Sequence, residues 1–171
     1  DPEILLRSDI ATADVKYRVV LVETLLKQYE EEKLLDRDLD IRRQYRKLAH
    51  PGLTEQIQPY ICDNTKGIIV RRVAIDIAEA CELRVLQGVL ANITLDSSQS
   101  LPIRVNTAHA ICCIGDDETK AKLKPLVISK LQDDHDDELK GYGLMAVWPT
   151  HLTAEELFSV IRYPKIENLF G

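Results

Sequence analysis

Three segments of this chain can be laid over one another: VRRVAIDIAEAC at 70–81, IRVNTAHAICCI at 103–114 and LKGYGLMAVWPT at 139–150. Their anchors Val70, Ile103 and Leu139 lie 33 and 36 residues apart, and each is followed by a cation, Arg71, Arg104 or Lys140. Four positions past each anchor stands a small residue (Ala74, Thr107, Gly143) and five past it an apolar one (Ile75, Ala108, Leu144). Apolar residues return at seven and eight past it, as Ile77-Ala78, Ala110-Ile111 and Ala146-Val147. Steps of four, seven and eight share one helical face, and small residues there let a neighbouring axis come close. Thirteen residues before each anchor comes another apolar residue, Ile57, Leu90 or Leu126, inside further helical stretches at 53–62, 85–95 and 120–132. Each repeat is then a first helix, a polar loop and a second helix, and a period of this length predicts stacked helix pairs. The register has one fault: Lys122 falls where Leu53 and Leu86 predict an apolar residue.

The rest of the chain is compatible with that plan. Val15, Val19, Val22, Leu26 and Tyr29 form a helical stripe after Thr12, a candidate N-cap, and Asp36-Arg37-Asp38 ends it. Ile41–Leu48 reads as a short helix stopped by His50-Pro51-Gly52. Gly115 closes one second helix and Asp116 or Asp117 caps the next first helix. Thr153 and Glu156 have capping-box spacing, Leu152 and Leu157 staple spacing, and Pro149 ends the helix carrying Trp148. With 45% hydrophobic residues but 5% aromatic, the core is aliphatic, and seven Gly and seven Pro are too few for a many-turned sandwich or barrel. The prediction is all-α, a right-handed α-α superhelix of stacked antiparallel helix pairs. One domain spans 1–171: N-terminal helices at 1–50, repeats at 51–83, 84–118 and 119–152, and the start of a further unit at 153–171. The opening Asp1-Pro2 and the unpartnered last helix predict a piece of a longer protein.

The repeat pattern resembles HEAT repeats, whose second helix carries Val/Ile-Arg-x-x-small-apolar and closes on Gly-Asp, as in IRVNTAHAICCIGD. More narrowly, DPEILLRSD, VRRVAIDIAEA, LKGYGLMAVWP and HLTAEELF resemble the region after the NTPase module in bacterial NACHT-type signal-transduction (STAND) ATPases. The resemblance implies a cytoplasmic interaction or sensor module in signalling or antiviral defence, whose partner is a target protein or the NTPase module of its own parent chain. The alternative reading, also by analogy with HEAT-like proteins, is a phycobilin lyase component holding a tetrapyrrole.

The residues themselves point away from chemistry. No G-x-x-x-x-G-K-[ST] occurs, and the seven glycines never cluster into a phosphate cradle, so no nucleotide or other cofactor is expected. A net charge of −6 opposes general nucleic-acid binding, and no stretch has the ~18 consecutive apolar residues of a membrane span. Cys62, Cys81, Cys112 and Cys113 lack the spacing of a disulfide framework and read as free, mostly buried thiols. His109, Cys112 and Cys113 supply too few ligands for a closed zinc site, and Asp133–Glu138 lacks the glycine and spacing of an EF-hand. The last carboxylates of that acidic run fit instead at the N-terminus of the helix starting near Leu139. The repeated cations read as a ladder to acids or C-terminal carbonyls of adjacent repeats. No catalytic, metal or cofactor residue is assigned. One segment is left as a candidate partner-binding site: Arg37, Arg42, Arg43, Arg46 and Lys47, five cations against Asp38 and Asp40, with Tyr45 as a possible aromatic contact.

Overall fold

The computed structural model describes residues 2–34 and 39–161, among which there is no strand. The chain forms two compact units, residues 1–86 and 87–171. None of its described helices is long and apolar enough to cross a membrane.

The first unit holds α1 (Pro2–Arg7), α2 (Val15–Glu30), α3 (Leu39–Gln44), α4 (Leu53–Cys62) and α5 (Ile68–Ala80). Short 3-10 turns lie at Ile10–Thr12, Tyr45–Leu48 and Arg84–Leu86. α2 starts two residues later than Thr12 allows. Asp14 is its cap, accepting from the Lys16 backbone N–H, while the Thr12 hydroxyl turns back to the Asp9 carbonyl. The expected stripe is also displaced: Val15 is exposed and Val19 half-buried, while Leu21, Val22, Leu25, Leu26 and Tyr29 are buried. α5 packs on α2, α3 and α4, so its face from Val70 to Ala78 is almost continuously apolar and buried. α2 ends at Glu30, ahead of the expected break: Glu32 takes a positive φ of 56° and the Lys33 N–H turns back to the Gln28 carbonyl, while Asp36–Asp38 themselves lie outside the described residues.

The second unit holds α6 (Gln87–Leu95), α7 (Leu101–Ile114), α8 (Asp117–Ala121), α9 (Lys124–Ile128), α10 (Glu138–Val147) and α11 (Ala154–Val160). α6 packs on α7, α10 on both α7 and α9, and α11 on α9. The stretch expected as one helix over 120–132 is two, because Pro125 begins a helix better than it continues one. The break resolves the register fault: Leu123, fully buried, takes the place that Lys122 vacates, and Lys122 turns outward to Glu118. Every repeat anchor is buried, namely Ile57, Val70, Ile77, Leu90, Ile103, Ile111, Leu126, Leu139 and Val147.

Two glycines are fixed by close approach. A Cβ on Gly143 would stand 3.0 Å from Leu126 Cβ and 3.2 Å from Val127 Cγ2, which is how α10 lies so near α9. At Gly115 a Cβ would meet the Ile111 carbonyl oxygen at 2.6 Å, although the φ of −68° suits any residue. Gly115 thus ends α7 for want of room, without the left-handed turn that helix-closing glycines usually adopt. The capping box forms as expected: Thr153 Oγ1 accepts from the Glu156 N–H, Glu156 accepts from the Thr153 N–H, and Leu152 is buried beside it. Pro149 follows the last residue of α10 by two, and the Trp148–Pro149 peptide is cis.

Candidate functional site

Arg71 and Arg104 occupy one repeat position and do one job. The buried Arg71 guanidinium donates through Nε and Nη2 to the Ile61 carbonyl, at 3.3 and 3.0 Å. Arg104 Nε donates to the Thr94 carbonyl at 3.0 Å, again ten residues back. Both carbonyls belong to the last turn of a first helix, where no amide of that helix remains to bond them. The ladder is therefore corrected in one respect: these cations close the first helix of their own pair rather than that of an adjacent one. Arg104 also reaches forward, with Nη1 2.8 Å from Asp133 of the acidic run. Lys140 differs from both, its Nζ bonding the Val160 carbonyl at the end of α11 at 3.1 Å.

Glu138 of the acidic run stands in the first turn of α10, as expected, while the hydrogen bonds that cap the helix come from an earlier member. Asp134, only 2% exposed, accepts from the backbone N–H groups of Leu139 and Lys140 at 3.1 and 2.9 Å. Carboxylates also fold the loops between helices. Asp63 accepts from the side chain and backbone of Thr65, and Asp96 from those of Ser98, 33 residues on. Asp116 caps α8 through the Thr119 N–H and is clamped by Gln87 from the other side. These hydrogen bonds to the charged form hold Asp63, Asp96 and Asp116 below the ordinary aspartate value. Lys124 beside it, with the Thr153 N–H, lowers Glu156 likewise.

The basic segment is divided by the fold. Arg42 turns inward, its Nε 3.3 Å from Asp76 of α5. Lys47 Nζ closes the end of α1 by donating to the carbonyls of Leu6 and Ser8 at 3.0 and 2.9 Å. Tyr45 is fully buried, its hydroxyl 3.4 Å from that of Tyr29, so it offers no surface contact. Arg43 and Arg46 remain on the surface, Arg43 beside Asp40 at 3.5 Å. Arg37 lies outside the described residues.

The four cysteines are thiols outside any disulfide, as expected, but Cys62 and Cys113 are exposed and Cys81 and Cys112 half-buried, so the expectation of mostly buried thiols fails. The Cys81 thiol donates to the Tyr45 carbonyl, and burial pushes its pKa up to about 12. Cys112 is an interhelical residue, its Sγ 3.3 Å from the Tyr142 carbonyl on α10. Cys113 Sγ lies 4.0 Å from His109 Nε2, whose ring meets Tyr142 edge-on.

Two features escaped the sequence reading. Thr94 and Thr107, both fully buried, join α6 to α7 through a 2.8 Å hydroxyl–hydroxyl bond. In the preceding pair the corresponding residues are Ile61 and Ala74, and that paired change was a readable signal. The second is a cavity of about 630 Å³ among α9, α10 and α11, whose lining includes Leu131, Leu144, Val160, Ile161, Lys140 and Asp134. Compared with models of protein families, with curated proteins and with solved structures, the chain has no significant match.

Proposed function

We propose that this chain is a non-enzymatic helical-repeat module, a segment of a right-handed α-α superhelix of HEAT type, that binds a protein partner or the NTPase module of a longer NACHT-type protein. One observation carries the reading: polar side chains are used to close helix ends, while large apolar ones stand on helix surfaces. Arg71, Arg104, Lys140, Lys47, Asp134 and Asp116 all bond helix termini. Met145, Trp148 and Phe158 are exposed. Catalysis calls for convergent titratable groups around a reacting atom, whereas repeated helix pairs offer extended surface. Cytoplasmic signalling or antiviral defence is the context that the NACHT resemblance supplies.

The test is a calorimetric titration of the chain against the separately expressed NTPase module of the full-length gene product. Saturable binding is expected, with no ATP hydrolysis by the chain itself. Reversing Arg43 and Arg46 to Glu weakens the binding if the exposed remainder of the basic segment takes part; Arg42 and Lys47 are excluded because their loss disturbs the fold. Hydrolysis by the purified chain, above that of a mock purification, refutes the non-enzymatic reading, and a flat titration refutes docking to the parent module. The cavity favours a second reading, the phycobilin lyase component, since about 630 Å³ lies within the range of small-molecule sites. A shifted, intensified absorbance after incubation with bilin would favour it.

A further inference from the structure

α7 and α10 are second helices of consecutive pairs, held in one register by Ile103 and Leu139. That register allows one face to be followed from a helix where it is covered to a helix where it is open. On α7 the residues two, six and nine past the anchor are Val105, His109 and Cys112, all half-buried. α10 lies over the last two: the Tyr142 ring meets His109 at 5.3 Å between centroids, and the Tyr142 carbonyl accepts from the Cys112 thiol. The same three positions after Leu139 are Gly141 and Met145 on α10 and Trp148 just past its end, one stripe by helical spacing, and all three are exposed. Met145 is 66% and Trp148 43% accessible.

The neighbouring helix tells the same story. The first helices α4, α6 and α9 each bury at least two apolar side chains, whereas α11 buries none and leaves Phe158 at 75% accessible. The cavity adjoins the stripe through Gly141. The two ends of the stripe differ in charge. Glu138, one turn before Gly141 on the same stripe, is exposed, and Asp136 and Asp137 precede it, whereas Met145 and Trp148 form an apolar end. On the cavity side Lys140 is bonded to the Val160 carbonyl, and Lys130, which also lines the cavity, is exposed.

We propose that the outer face of α10, Met145 and Trp148 with Phe158 of α11, docks an amphipathic helix of a partner protein, lying on α10 as α10 lies on α7, with its basic N-terminal end beside Asp136–Glu138. This rests on the interaction-module reading and names its surface. The register supplies the orientation, and Trp and Met are suited to anchoring an apolar stripe. The carboxylates select the basic end and also favour the positive terminus of a helix dipole.

Trp148 is the chain's single tryptophan, so its emission reports on this face alone. The probes are two stapled 18-residue helices with leucines at i, i+3, i+4 and i+7, one carrying three lysines near its N-terminus and the other three glutamates. The lysine helix should shift Trp148 emission to the blue, protect it from iodide, and bind about tenfold more tightly than the glutamate helix at low salt, a gap that narrows as salt is added. Met145→Lys should abolish the shift without moving the melting curve, since the side chain is exposed. Glu138→Lys should erase the preference between the two helices. The proposal is overturned by no shift with either helix, by equal binding of both, or by a response that Met145→Lys leaves intact. It is also overturned if Trp148 is already shielded in the free chain because residues 162–171 cover it, or if the shift follows protein concentration and sedimentation shows a second copy as the occupant. Calorimetry on the unaltered chain separates this face from the broader reading: retained binding to the NTPase module beside a failed peptide titration removes this surface alone.

Discussion

Replacing Arg104 with Met removes every donor while keeping an unbranched apolar stem, and the structure says what that should cost. The Arg104 side chain is 3% exposed. Its bond to the Thr94 carbonyl is buried and charge-assisted, so about 1.5–3 kcal/mol rests on it. Without it the carbonyl, on a fully buried residue at the end of α6, has lost the donor that closed the helix. The second bond goes to a carboxylate that is 47% exposed, where solvent screening limits the worth to about 0–1 kcal/mol. The Met stem retains most of the packing, leaving a net loss of about 2–4 kcal/mol. In a melt followed by circular dichroism at 222 nm, the midpoint should fall by roughly 10 °C, and by more if residues 87–171 unfold as a unit of their own. Asp133→Asn is the control: it removes only the screened bond and should stay within about 1 kcal/mol of the unaltered chain. Equal losses in the two variants would show that the cation is there for the acid, and the helix-closing argument for Arg71 and Arg104 would fall.

Ala108→Glu sets a charge on a fully buried site of α7 and should cost several kcal/mol, and an unchanged melting curve would defeat the repeat alignment. Asp63, Asp96 and Asp116 have lowered pKa values in the folded chain, so they bind fewer protons folded than unfolded in the acid range. Their stabilising contribution is whole above the ordinary carboxylate pKa and is lost as pH falls through the lowered values, so urea midpoints should hold steady from neutrality down to about pH 4 and drop below it. The Asp63→Asn, Asp96→Asn, Asp116→Asn triple variant should start lower and drop less. With its pKa near 12, Cys81 carries almost no thiolate at pH 8, so Ellman's reagent should label exposed Cys113 well before it; equal rates would contradict the burial of Cys81.

What could be read from the residues was whatever periodicity enforces. Val70, Ile103 and Leu139 recur because a helix that packs on two others must place an aliphatic side chain at that point in each turn of the pattern, and all three are buried. What could not be read was which of two suitable groups reaches a given atom. Thr12 and Asp14 are both N-cap residues by type, and only the path of the chain after Ile10–Thr12 decides for Asp14. The acidic run pointed to its last carboxylates by proximity to the helix, and the loop fold picks Asp134 to make the bonds, five residues ahead of the Leu139 amide. The basic segment is divided for a similar reason: charge is additive in sequence but side chains diverge in space, so Arg42 and Lys47 turn to Asp76 and to the end of α1 while Arg43 and Arg46 stay on the surface. Exposure of Met145 and Trp148 was hidden by the same periodicity that revealed the anchors. Apolar residues all look alike to a repeat alignment, whether or not a neighbour exists to cover them.

The Thr94–Thr107 bond has a consequence for how such a chain can be cut and rejoined. Ile61 and Ala74 hold the matching places in the pair before it, with methyl groups where the later pair has hydroxyls. A chimera that set α4 against α7 would press a branched butyl group onto the Thr107 hydroxyl. One that set α6 against α5 would leave the Thr94 hydroxyl facing a lone methyl group. The backbones match closely enough in length and spacing for the exchange to look harmless. Helices α4 and α6 are thus like keys of one blank filed to different locks, and the smallest piece that recombination can shuffle intact is the pair.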